Sequence, residues 1–160
     1  MKKGTIGQAS TQINASPEAL YDLVSDVRRM GEWSPETRSC AWLDGATGAA
    51  VGARFKGTNA RGPLRWSTKP KVVVAERGRE FAFVTDLRGN DNTKWSYRFE
   101  PTANGTTVTE TFEMLSDVPK VIVVVEKYVM RVSDRKADLE KNMAETLARI
   151  KTVAERGDSA

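Results

Sequence analysis

Apolar and polar positions divide the chain into three textures. Residues 5–14 alternate small, apolar and polar side chains, which predicts a first strand. Ser16-Pro17-Glu18 then signals a helix start. The Ser16 hydroxyl can accept a backbone N–H, Pro17 suits the first helical position, and Glu18 faces the positive end of the helix dipole. Leu20, Tyr21, Val24 and Val27 follow at helical spacing, so a short amphipathic helix is expected to about Asp26. Another turn or two is expected over 27–32, ended by Ser34-Pro35.

From Arg38 to Leu115 the period becomes that of strands. Runs at 39–43, 53–59, 64–75, 80–87, 93–100 and 106–115 are separated by Asp44-Gly45, Arg61-Gly62-Pro63, Arg77-Gly78, Gly89-Asn90-Asp91-Asn92 and Asn104-Gly105. Links this short permit antiparallel hairpins, whereas parallel strands need long crossovers. With the first strand, the count is seven, largely consecutive.

The period then turns helical. After Val118-Pro119, the residues Val121, Val125, Tyr128 and Val132 mark one face. Beyond the polar step at 133–136, Leu139, Met143, Leu147, Ile150 and Val153 continue a stripe at spacings of three and four. A helix over 133–156 would measure about 36 Å. Its single apolar face needs a partner of similar length, and a sheet is the only one available. The expected organisation is one domain over 1–156 with a flexible tail at 157–160.

Composition narrows the chemistry. The 160 residues carry 39% hydrophobic and 29% charged side chains and a net charge of +4, which suits a folded globular chain. There is one cysteine, Cys40, so no internal disulfide can form and a reducing, cytoplasmic setting is expected. Histidine is absent, which excludes histidine-based metal sites, Ser-His-Asp triads and histidine acid–base chemistry. No metal site and no cofactor are expected. The start, Met1-Lys2-Lys3-Gly4, runs into polar residues with no apolar stretch of signal-peptide type. The longest apolar run, 121–125, is too short to span a bilayer, so stable membrane insertion is not expected. Lys and Arg are dispersed, and nucleic acid is not an expected partner.

The order strand, short helices, six-strand meander and long last helix resembles the START-like (SRPBCC) superfamily, in particular its bacterial polyketide cyclase/dehydrase and lipid-transport type. The likeness runs from Ile6 to Glu155. It rests on Ser16-Pro17-Glu18 with Leu20 and Val24, Trp33-Ser34-Pro35, Gly52-Ala53-Arg54-Phe55, Trp66, the segment 95–101, Gly105-Thr106, and Thr146-Leu147 with Ile150-Lys151. The resemblance implies an α+β helix-grip fold: a curved seven-stranded antiparallel sheet around a long C-terminal helix, with two short helices after the first strand. It also implies a cavity between sheet and helix for a hydrophobic small molecule.

Strand alternation selects residues for that cavity. Trp95, Tyr97 and Phe99 share one face, as do Val108, Glu110, Phe112 and Met114. Phe81 with Phe83, Leu64 with Trp66, and Phe55 with Asn59 extend the same interior. Phe81, Phe83 and Phe99 read as core packing first, whereas Trp66, Trp95 and Tyr97 carry polar tips that need partners when buried. The candidate ligand-binding set is Trp33, Phe55, Asn59, Trp66, Phe83, Trp95, Tyr97, Glu110, Phe112, Tyr128 and Met143. Glu110 is the sharpest candidate, because burial on an apolar face would favour its neutral acid. Its plainer reading is an ion pair or a solvated sheet end. Arg61 is either a contact at a cavity mouth or a turn residue. The glycines at 45, 48, 52 and 57 lack the Gly-Lys-Ser/Thr ending of a phosphate loop and read as turns or close backbone approach.

The leading functional reading is a binder or carrier of a hydrophobic or amphipathic molecule: a lipid, polyketide or aromatic metabolite. One alternative is a polyketide cyclase, aromatase or dehydratase moving protons through Glu110, Tyr97 or water. Another is a protein or RNA interaction module on the last helix, around Lys136, Lys141, Arg149 and Lys151, although Asp138, Glu140 and Glu145 are interleaved there.

Overall fold

Local chemistry sets the first elements of the computed structural model, which describes residues 1–157. Strand β1 (Ile6–Ile13) leads into helix α1 (Pro17–Ser25), where the Ser16 hydroxyl accepts the Ala19 N–H at 3.1 Å. A 3-10 helix follows over Val27–Glu32, and the chain then enters the strands β2 (Thr37–Trp42), β3 (Phe55–Arg61), β4 (Leu64–Thr68), β5 (Lys71–Glu76), β6 (Glu80–Leu87), β7 (Asn90–Thr102) and β8 (Gly105–Met114). Helices α2 (Lys120–Tyr128) and α3 (Arg135–Gly157) complete it. Of the expected tail, Gly157 ends α3, and positions 158–160 lie outside the described residues.

The described residues form eight strands rather than seven. The run expected at 64–75 is broken at Lys69-Pro70, since Pro70 has no N–H to donate to a ladder. All pairings are antiparallel, in a five-stranded sheet of order β1-β8-β7-β6-β5 and a three-stranded sheet β2-β3-β4. The stretch before β3 links the two. The Val72 N–H donates to the Ala53 carbonyl at 2.8 Å, and the Phe55 N–H to the Pro70 carbonyl at 3.1 Å. β7 begins at Asn90, earlier than the expected 93, because Arg88 and Gly89 alone make the turn with φ of 55° and 82°.

The last helical region is two helices. Arg131 adopts φ 57° in the link, and the Asp134 carboxylate restarts the helix by accepting the Ala137 N–H at 3.1 Å. The C-terminal half of α3 buries Leu147 and Ile150 in a core with Ile13, Leu20, Val24, Phe81 and Phe99. Toward its N-terminal end, Leu139 and Met143 join a second cluster with Phe112 and Met114.

That second cluster depends on Gly7, which pairs with Phe112 across β1 and β8. A Cβ at Gly7 would lie 2.4 Å from the Phe112 ring and 3.0 Å from Glu140 Oε1. The missing side chain lets the ring sit flush under the strand while α3 passes above. Gly7→Ala should therefore cost about 1–3 kcal/mol, the usual size of an overpacking defect. Phe112→Leu added to it should recover part of the loss. Urea and thermal unfolding of the two single variants and the double variant measure this, and strictly additive losses would contradict the steric account.

Candidate functional site

Register builds the floor of a cavity. Phe83, Trp95 and Phe112 lie opposite one another on β6, β7 and β8, and the next row on the same face brings Phe81, Tyr97 and Glu110 together; of these, Phe83, Trp95, Tyr97 and Glu110 face the space. A second wall comes from the three-stranded sheet, where Thr37, Asn59 and Trp66 are aligned across β2, β3 and β4. The roof is Ile122, Val125 and Glu126 of α2, Met130 after it, and Leu139, Met143 and Thr146 of α3. Together these walls enclose about 470 Å3, mostly apolar and partly open to solvent.

One acid dominates the polar chemistry. Glu110 is 4% exposed, and its Oε1 accepts the Tyr97 hydroxyl at 2.9 Å. Its Oε2 has no partner among the described residues. Burial pushes the carboxyl up to about 8, against a smaller downward pull from the Tyr97 hydrogen bond. Tyr97 is itself driven well above the ordinary phenol range, first by burial and then by the Glu110 charge. Near neutral pH the pair is therefore mainly a neutral acid beside a neutral phenol, with one carboxyl oxygen uncommitted. Across the cavity, the Thr37 hydroxyl donates to Asn59 Oδ1 at 3.0 Å, leaving the Asn59 amide N–H groups available to a guest.

A charge cluster stands at one edge of the cavity, where Glu36, Glu126 and Arg135 line it. Arg135 donates to Glu36 at 2.9 and 3.2 Å and to Asp138 at 2.6 Å, and lies 3.6 Å from Glu126. Arg61 forks onto Asp138 at 2.6 and 2.8 Å and reaches Glu36 at 3.2 Å. Burial would raise Asp138, but the hydrogen bonds from the two arginines outweigh it and hold the carboxyl below its ordinary value. For Glu126 burial prevails over Arg135, and its pKa is raised. Arg135 is the one cationic side chain on the cavity wall among the described residues, and three carboxylates already engage it; the Met1 terminus also lies on the wall, and its ammonium acts on Glu126.

Phe55, Asn59, Trp66, Phe83, Trp95, Tyr97, Glu110 and Met143 all line this space. Three nominated residues do not. Trp33 is buried in the main core beneath α1 and the 3-10 helix, Phe112 packs behind Trp95 with ring centroids 5.8 Å apart, and Tyr128 lies on the outer side of α2, exposed. Tyr128 and Val121 were expected on the inner face with Val125. Because α2 is apolar on nearly all sides and ends at Tyr128, its stripe does not continue into α3, and Ile122 and Val125 turn inward instead. Arg61 proves to be a clamp residue at the mouth.

The clamp partners Glu36, Arg135 and Asp138 were missed, since Glu36 and Arg61 are far in sequence from the Arg135–Asp138 pair and only the fold joins them. Glu126, the one acid closing an apolar run, was the available signal. Cys40 lines the cavity, but burial pushes its thiol up to about 11, so it is not a thiolate nucleophile at neutral pH. The basic face of α3 is spent locally: Lys136 pairs with Glu140 at 2.9 Å, Lys151 with Glu155 at 2.6 Å, and Arg149 with Glu145. No helix among the described residues is long and apolar enough to cross a membrane.

Similarity to known proteins agrees with this architecture. A polyketide-cyclase-like protein of Corynebacterium glutamicum, solved by NMR, is 34% identical, with 97% of this chain and 94% of that one covered at a TM-score of 0.64. A protein of Deinococcus radiodurans shares 19% identity over 96% and 99% of the two chains at 0.67. The di-domain ARO/CYC protein StfQ from the steffimycin biosynthetic pathway shares 12% over 97% of this chain and 52% of its own, at 0.75. At such identities the last two speak for the fold alone. No curated protein gives a significant match. The profile described as polyketide cyclase / dehydrase and lipid transport matches residues 6–155, and the chain belongs to that family of START-like, helix-grip proteins.

Proposed function

We propose that the protein binds a neutral, largely apolar small molecule in the cavity and anchors a carbonyl or hydroxyl of it on Glu110. The observation that carries this reading is the unpartnered Oε2 of a buried carboxyl at the wall of a 470 Å3 space. A buried polar atom left without a partner costs about 1–3 kcal/mol, which a guest's hydrogen bond would offset. The volume is within the range of about 300–1,000 Å3 usual for small-molecule sites. Ring-bearing walls (Phe55, Trp66, Phe83 and Trp95) suit a flat or alicyclic body. Arg135 is already engaged by Glu36, Asp138 and Glu126, so this guanidinium offers an anionic head group little, and the unpartnered carboxyl suits a neutral guest.

The near-neutral pKa of Glu110 supports a second reading, a cyclase- or dehydratase-type enzyme in which this acid gives or takes a proton. The family description names both chemistries. Glu110→Gln keeps a neutral hydrogen-bonding group of the same size. In a carrier it should leave the affinity for a neutral aromatic ketone within a few-fold at pH 6, by fluorescence titration. In an enzyme the same variant should abolish turnover of a poly-β-ketone substrate while binding survives. Retained turnover in both Glu110→Gln and Tyr97→Phe would remove the catalytic reading.

Titration gives two further expectations. Binding of a guest that accepts from the neutral acid should weaken as pH rises through about 8, tending to tenfold per pH unit above it, and the Glu110→Gln variant should be flat. A wild-type affinity unchanged across that range would contradict the anchor. Stability follows the same sign. The folded pKa is raised above the ordinary value of 4.5, so between about pH 5 and pH 8 the folded state holds a proton that the unfolded chain has lost. Stability is full below that window and falls across it, with a limiting slope of about 1.4 kcal/mol per pH unit from this group. Urea unfolding at several pH values should show the fall in wild type and lose this component in Glu110→Gln. Tyr97→Phe, which removes the downward pull, should move the upper end of the fall to higher pH.

A further inference from the structure

We propose that the outer face of α2 is a docking surface for an anionic lipid bilayer. A helix at the surface normally turns its apolar side inward, yet α2 buries none of its residues fully and is apolar on both sides. At about 100° per residue, Ile122, Val125 and Glu126 fall together on the cavity side. Val121, Val123, Val124 and Tyr128 occupy the opposite arc, and with the next residue, Val129, they are between 42% and 69% exposed. Water alone is a poor partner for such a patch.

The charges around it select the occupant. Lys120 and Lys127 share the outer arc, Arg131 follows it, and none of the three forms an ion pair among the described residues. The Lys127 ammonium lies over the Tyr128 ring, 5.4 Å from its centre. The one acid of the helix, Glu126, faces the cavity. An apolar strip edged by cations and free of acids matches the boundary between anionic head groups and acyl chains. A second copy of the same face would instead bring lysines against lysines. The proposal does not depend on what the cavity binds, because the residues on the two sides of α2 are different.

Flotation of the intact protein with vesicles tests it. The protein should float with phosphatidylcholine vesicles containing phosphatidylglycerol and stay behind with phosphatidylcholine alone, and salt should weaken the association. Lys120→Gln and Lys127→Gln should each weaken partitioning roughly fivefold, as expected for one surface cation. Val121→Asp with Val124→Asp should abolish flotation with unchanged circular dichroism, since both side chains are exposed. Val121→Asp with Val124→Asp should leave the fluorescence titration of a neutral aromatic ketone unchanged, which separates docking from capture of a lipid in the cavity. Absence of flotation, or flotation indifferent to the α2 variants, overturns the proposal. So does a dimer in sedimentation velocity that Val124→Asp dissociates, because the face would then belong to a second copy.

Discussion

A long straight helix cannot stay in contact with a curved sheet along its whole length, and the site follows from that constraint. α3 spans 23 residues. Sheets twist, so close packing of the two is possible over part of the length and gives way to open space beyond it. Contact is fullest at the C-terminal half, where Leu147 and Ile150 enter the main core, and narrows to Leu139 and Met143 against Phe112 and Met114 toward the other end. Opposite the N-terminal half the gap is roofed by α2 and walled by β2, β3 and β4. Gly7 sets how far the contact extends, since a side chain there would meet both the Phe112 ring and Glu140 of α3.

Where the helix leaves the sheet, charge replaces packing. Arg135 and Arg61 tie the first turn of α3 to Glu36 before β2 and to the end of β3, and Arg135 also approaches α2 through Glu126. Desolvating such groups offsets much of their attraction, so the cluster adds little net stability compared with an apolar plug. Its contribution is geometric: it holds separate elements at the rim of a space that no side chain fills. Fully committed to carboxylates, it also withholds positive charge from the interior.

Elements with strong local chemistry were legible in the sequence, and the terminal helical region was not. Ser16-Pro17 and the alternation of 106–115 specify α1 and β8 to within a residue or so. The alternation of 93–100 finds the middle of the longer β7, and it places Trp95 with Tyr97 on one face as that of 106–115 places Glu110 on a face of β8. Pro70 should have been read as dividing 64–75, since a residue without an N–H interrupts a ladder wherever it falls. The 121–132 stripe misled because α2 is apolar all round, so several faces fit the same spacing. Phe112 satisfied the same alternation as Glu110, yet it sits behind the wall. Parity reports the face of a strand, and packing against Gly7, Leu139 and Met143 is what covers Phe112 on that face. The clamp was invisible because Glu36 and Arg61 meet the Arg135–Asp138 pair only across the fold.

The state of Glu110 bears on chemistry more directly than the fold does. Helix-grip neighbours include members from biosynthetic pathways, but a shared architecture does not transmit a reaction. A carboxyl with no nearby cation and one hydroxyl donor is held mainly by desolvation, and desolvation changes whenever a guest enters. An apolar guest that excludes water from the cavity raises the pKa further and fixes the acid as a hydrogen-bond donor. A guest carrying a carbonyl whose α-carbon is acidic, or developing charge on its oxygen, couples its own proton to the same group. On the proposed reading, the occupant tunes the acid that recognises it, and binding and proton transfer become two regimes of one buried carboxyl, separated by the chemistry of the molecule placed against Oε2.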